Sequence, residues 1–280
     1  MNATSNTEQR NKAIVNELYN GIYNPGRADL LKTVFAANLI QHDPTVANGI
    51  EGEMAYLQGK LAQEPRPFFI VKHLLAYGDF VAAHVQVTAT PDNEFSGQAE
   101  LDLFRFNQQG TIVEHWESIQ DVPATSLNGH SMFSTLYPES PIPVTEQQEE
   151  ANKALVLDVA NRLFNEGDLS VLDQYWDAKY IQHNPLVANG VDGLKAVLAN
   201  NAGLLSHFNI EYAIADGNYV LLFQQAISAG GDPNNQFAGI VVADLYHVIN
   251  GKTVEHWDVL QNVPATSING HSMFSSLYQG

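Results

Sequence analysis

Two short segments carry the groups best suited to chemistry. Val113-Glu114-His115-Trp116-Glu117 and Val254-Glu255-His256-Trp257-Asp258 each set an imidazole two residues before a carboxylate. In a strand this spacing puts both on one face and the tryptophan on the other. If that face turns into an apolar interior, burial raises the carboxyl pKa and makes Glu117 or Asp258 a proton acceptor near neutral pH, with His115 or His256 beside it. Alternation equally allows Trp116 and Trp257 to be the buried face, leaving imidazole and acid in solvent, or a buried pair that only tethers the following loop. A second pair of motifs, Gln41-His42-Asp43-Pro44 and Gln182-His183-Asn184-Pro185, makes turns through the Asx-Pro step. There His42 and His183 can project into a pocket mouth, although a lone turn histidine is more often structural. No metal is expected, because His42, His115 and His130 are far apart in sequence and no helical His-Glu-x-x-His occurs. No Gly-rich phosphate loop follows a strand, so no cofactor is expected either.

These motifs come in duplicate. At a fixed offset of 141 residues, Ile40 to Gly52 matches Ile181 to Gly193 at nine of thirteen positions, and Val113 to Tyr137 matches Val254 to Tyr278 at nineteen of twenty-five. Duplication is the simplest account. Residues 1–137 form copy 1, residues 138–150, rich in Pro and Glu, a linker, and residues 151–280 copy 2. The apolar spacing of Ile14, Val15, Leu18, Tyr19, Ile22 and Tyr23, mirrored from Leu155 to Phe164, predicts a leading helix that stops at Asn24-Pro25-Gly26 and at Glu166-Gly167. Two shorter helices follow, around Asp29 to Ala36 and Glu51 to Ala62, with counterparts near Ser170 to Trp176 and Asp192 to Ala202. The period then changes to two, and the last strand pair turns at Gln108-Gln109-Gly110 and at Asn250-Gly251. Each half is therefore α+β, about three helices followed by an antiparallel sheet that curls around them and encloses a pocket. The shared tails, Pro123 to Phe133 and Pro264 to Phe274, have no catalytic logic and are expected to pack one copy against the other.

Composition narrows the partners. A formal charge of −18 repels phosphate backbones and anionic lipid, so neither nucleic acid nor membrane is expected. The absence of cysteine removes disulfides, thiolate nucleophiles and Cys-ligated zinc. The polar start and the lack of a membrane-length apolar run predict a soluble, cytoplasmic chain.

Gln-His-Asn-Pro followed by Asp-Leu-Tyr, Gly-Lys, Val-Glu-His-Trp-Asp and Gln resembles the SnoaL-like polyketide cyclases, and the resemblance spans nearly all of both halves. That family belongs to the nuclear transport factor 2-like superfamily, whose cone-shaped α+β domain also houses ketosteroid isomerase and scytalone dehydratase. The resemblance implies a cofactor-free aldol cyclisation or isomerisation of a small apolar carbonyl compound. Asp258 would be the base, Glu117 its longer counterpart, and His256, His183, His115 and His42 the assisting groups. Arg105 against His247, and Lys72-His73 against Glu211-Tyr212, predict that the two pockets differ. Two alternatives remain: a small-molecule binding protein without turnover, since fold does not fix function, and a duplication that serves assembly alone. In both, one chain forms a monomeric pseudo-dimer.

Overall fold

The computed structural model describes residues 5–140, 142–200 and 205–279. Copy 1 opens with α1, Asn6–Glu17, started by a capping box in which the Ser5 side chain accepts from Glu8 N while Glu8 reaches back to Ser5 N. The helix widens into a π-type turn, Leu18–Tyr23, and ends as expected at Gly26, whose φ of 78° needs a residue without a Cβ. A short 3-10 turn, Ala28–Thr33, leads into β1, Phe35–Gln41; α2, Ile50–Leu61, and strands β2 to β5, Phe68–Tyr77, Phe80–Thr88, Gln98–Phe106 and Ile112–Asp121, complete the copy. Copy 2 repeats the order with α3, Glu146–Ala160, a second wide turn, Asn161–Asn165, α4, Ser170–Tyr175, β6, Trp176–Gln182, and α5, Gly190–Asn200. Its strands are β7 to β10, Leu205–Asp216, Tyr219–Ser228, Ile240–Ile249 and Lys252–Asn262. The end expected for this last helix, at Ala202, lies outside the described residues.

The order β1-β5-β4-β3-β2 recurs as β6-β10-β9-β8-β7, so the chain is two tandem nuclear transport factor 2-like α+β domains. One strand departs from the sequence expectation. The helix predicted around Asp29 to Ala36 is only the 3-10 turn, and its end already belongs to β1, which lies parallel to β5 at the sheet edge. Gln41 is thereby paired with His115, and Gln182 with His256, which brings the two motifs of each copy together. The stretch 138–150 also divides, because its acidic end is the first turn of α3, capped by Thr145.

Both faces of β5 and β10 are buried. One face meets the copy's own helices, through Val15, Leu18, Tyr19 and Leu31 in copy 1 and Val156, Leu163, Val171 and Leu172 in copy 2. The other meets the second sheet, in a core holding Trp116, Leu103, Phe133, Trp257, Leu245 and Phe274. The question of which face is core, left open by alternation, has the answer that both are. The tails cross over: Trp116 Nε1 donates to the Ser275 carbonyl and Trp257 Nε1 to that of Ser134, each at 3.0 Å, a reciprocal pattern of the kind an isologous dimer makes. Among the described residues no helix is long and apolar enough to cross a membrane.

Candidate active site

His256 and Asp258 point from β10 towards the helices, into a cavity of about 380 Å³. Its walls are largely apolar, from Leu163 and Phe164 on the wide turn through Leu194, Val197 and Leu198 on α5 to Phe208 on β7. The polar groups gather at one end: Gln182, Asn184, Asp244, His256 and Asp258. Asp258 Oδ2 accepts a hydrogen bond from Asn184 Nδ2 at 2.7 Å, while Oδ1 is buried and has no partner. No Lys or Arg among the described residues is paired with this carboxylate. Burial lifts its pKa to about 6, with the charge of Asp244 adding to the rise and His256 and the Asn184 amide opposing it.

His256 is held from both sides. Its Nε2 donates to Asp244 Oδ1 at 3.0 Å and its Nδ1 to Gln182 Oε1 at 3.2 Å. The Gln182 oxygen also receives the backbone N–H groups of His183 and Asn184, so it faces Nδ1 as an acceptor, an arrangement that favours the doubly protonated ring. Burial by itself lowers the His256 pKa, but the hydrogen bond and charge of Asp244, with the charge of Asp258, raise it above the ordinary value. Asp244 is held in turn by Gln224 Nε2 at 2.6 Å.

Copy 1 has the same strand geometry and a different interior. His115 donates to Asp102 Oδ1 at 2.9 Å, as His256 does to Asp244, but the Gln41 amide turns its Nε2 to His115 Nδ1 at 3.1 Å. Burial by itself lowers the His115 pKa, but the hydrogen bond and charge of Asp102, with the charges of Glu53 and Asp43, raise it above the ordinary value. The equivalent space carries larger and more polar side chains. Tyr19, in the place of Ala160, donates to Asp102 Oδ2 at 2.6 Å, and Tyr23 donates to Glu53, which replaces Leu194. Tyr56, in the place of Val197, reaches Glu117 Oε1 at 3.3 Å, and Glu100, in the place of Val242, is paired with Lys60 at 2.8 Å. Burial, and then the charges of Glu100, Asp102 and Asp43, push Glu117 well above the usual carboxylate range. Asp43 stands where copy 2 has Asn184, so Glu117 meets another acid instead of an amide donor.

The structure takes His42 and His183 out of the sites in which the sequence had them assisting. They lie towards the other sheet face, where His183 stacks on Trp257 with centroids 4.9 Å apart and His42 on Trp116 at 4.8 Å. His183 donates from Nε2 to Glu255 Oε1 at 2.7 Å and from Nδ1 to the Ser131 carbonyl at 2.6 Å; His42 does the same with Glu114 and Ser272. Both hold the copies together. The groups that do meet Asp258 and His256 are their motif neighbours Gln182 and Asn184, together with Asp244. Asp244 had a readable signal: it is a charged residue inside an apolar strand, repeated as Asp102. In each copy three acidic or imidazole groups lie close enough to share a cation, Asp244, His256 and Asp258 in one and Glu100, Asp102 and Glu117 in the other.

A curved sheet wrapped on helices, with an acid and an imidazole at the polar end of an apolar cavity, defines a class of small-molecule pocket domain. The SnoaL-like polyketide cyclase profile matches residues 13–126 and 154–267, and the chain belongs to that family, twice over. Family membership supports a cyclase- or isomerase-type function. No curated protein matches the chain. Among solved structures it is similar to IdmH from Streptomyces antibioticus, with 22% identity over 39% of this chain and 91% of that one and a TM-score of 0.33. TsrD from Streptomyces laurentii is 21% identical over 40% of this chain and 89% of its own, with a TM-score of 0.32. Bal32a, from a soil-derived mobile gene cassette, is 20% identical over 42% of this chain and 94% of its own, with a TM-score of 0.36.

Proposed function

We propose that copy 2 is a cofactor-independent enzyme in which Asp258 removes a proton next to a carbonyl of a small, largely apolar substrate, leading to aldol cyclisation or isomerisation. The observation that carries this reading is the buried, unpartnered Oδ1 of Asp258 on the wall of an apolar cavity, with no Lys or Arg paired to the carboxylate among the described residues. A carboxyl of pKa about 6 is mostly ionised at neutral pH yet far more basic than a surface aspartate, the balance a general base needs. As the proton moves to Oδ1, negative charge passes to the substrate oxygen, and the His256 imidazolium, locked between Asp244 and Gln182, supplies a fixed positive charge beside it. Leu163, Phe164 and Phe208 exclude water and select an apolar body. Copy 1, with Tyr19, Tyr23 and Tyr56 in that space, has no such role in this reading.

The test is turnover of a panel of β-polyketone esters and enolisable ketones, with exchange of the α-hydrogen for deuterium as a second readout. Asp258→Asn is expected to lower both by about 10²–10⁴-fold, and Glu117→Gln to leave them unchanged. Full activity of Asp258→Asn removes the aspartate as base. Ligand binding without turnover in either protein favours a binding module.

A further inference from the structure

Among the described residues Asp258 has one hydrogen-bond partner, and that partner sits on a loop that copy 2 does not hold by itself. Asn184 belongs to residues 182–187, between β6 and α5, and the tail of copy 1 grips this loop at successive positions. Asn128 Nδ2 donates to the Asn184 carbonyl at 2.6 Å and to that of Val187 at 3.0 Å. The Leu127 N–H donates to the Pro185 carbonyl at 2.9 Å, and His130 Nδ1 to that of Gln182 at 3.1 Å. Within the loop, Asn184 Oδ1 accepts from the Leu186 N–H at 2.8 Å, which fixes the amide orientation and leaves Nδ2 for Asp258. The mirror contacts run from Asn269 to the carbonyls of Asp43 and Val46, but there the loop carries an aspartate and faces a more polar interior.

We propose that Asn128 of copy 1 is a positioning residue for the copy 2 site: by clamping the 182–187 loop it keeps the Asn184 amide on Asp258 Oδ2, which leaves Oδ1 as the free lone pair facing the cavity. This rests on the reading of Asp258 as base. It gives the duplication a use, because one copy supplies the brace for the site of the other. The titratable groups around Asp258 are Asp244 and Tyr246 on β9, His256 on β10 and Tyr180 on β6. None is touched by the tail, so a change at Asn128 reaches Asp258 through Asn184.

The experiment uses the full chain and compares Asn128→Ala and Asn128→Asp, which both remove the amide donors, with the mirror variant Asn269→Ala. Asp258 is titrated by carboxyl 13C NMR, assigned with Asp258→Asn, and thermal melts check that each variant is folded. Losing a hydrogen bond to the charged form raises an acid's pKa, so both Asn128 variants are expected to titrate Asp258 about one unit higher. The acid limb of kcat/KM should move with it and kcat should fall about tenfold, while Asn269→Ala matches the parent protein. An unshifted Asp258 in folded Asn128 variants, or an equal shift in Asn269→Ala, overturns the proposal. The titration is read without turnover, so a shifted Asp258 in a protein that turns over no ketone sinks the catalytic reading and leaves the brace standing.

Discussion

Asp258 shows what moving one carboxyl into an apolar wall does to a protein's pH behaviour. Its pKa is near 4 in the unfolded chain and about 6 in the folded one. The folded state therefore binds the proton more tightly, and the stability this contributes is complete below pH 4 and lost as pH rises through 6. Two units correspond to about 3 kcal/mol. Asp258→Asn should accordingly be more stable than the parent at pH 8, by up to about 3 kcal/mol, with the difference vanishing near pH 4; urea unfolding at the two pH values measures it. Val197 lines the cavity where its counterpart in copy 1, Tyr56, reaches Glu117. Val197→Tyr is expected to abolish ligand binding, as read by calorimetry, and to cost about 1–3 kcal/mol through overpacking. The pairing of His256 with Asp258 was readable from strand alternation, since period two is a local property of the backbone. The choice of Asn184 over His183 was not: neighbours in one turn diverge to opposite sides of the sheet, and nothing in the triplet says which goes where.

At the scale of elements, the loop and helix after β6 are positioned by a close approach. A Cβ on Gly193 would lie 2.1 Å from the Ala188 carbonyl oxygen, and one on Gly52 1.9 Å from that of Ala47. Backbone cannot yield there cheaply, so Gly193→Ala and Gly52→Ala should each lower stability by about 1–3 kcal/mol in urea titrations. Only Gly193→Ala should also weaken ligand binding, because α5 and its loop carry Leu194, Val197 and Asn184 into the cavity. The leading helices, the strands from β2 onward and the closing hairpins were legible from apolar spacing and turn residues. The edge strand β1 was not. Phe35 to Gln41 has no turn before it and two alanines within it, which fit a helix as well, and its strand character comes from parallel pairing with β5, some 75 residues away in sequence.

In the whole molecule the face-to-face packing of the sheets covers what would otherwise be two broad apolar surfaces. Trp257 is fully buried there and donates to the other copy's tail, so Trp257→Ala is expected to cost about 3–5 kcal/mol in urea unfolding. Acid should loosen the same interface. Glu255 is buried, which alone would raise its pKa, but the His183 N–H and the Leu136 and Tyr137 backbone N–H groups hold it at about 2. The stability it contributes is present above about pH 4 and lost as pH falls towards 2, a loss that melting temperatures across that range would record. The amino-acid sequence alone determined that there are two α+β copies, that both carry an imidazole and an acid on one strand face, and that their interiors differ, because repeats, periodicity and turn chemistry are local. Only the tertiary structure decided that both strand faces are buried, that copy 2 holds the apolar cavity, and that the tail of one copy braces the loop of the other. Each of these depends on side chains more than a hundred residues apart meeting across the sheets, or on the volume left where Leu194 and Val197 stand in for Glu53 and Tyr56.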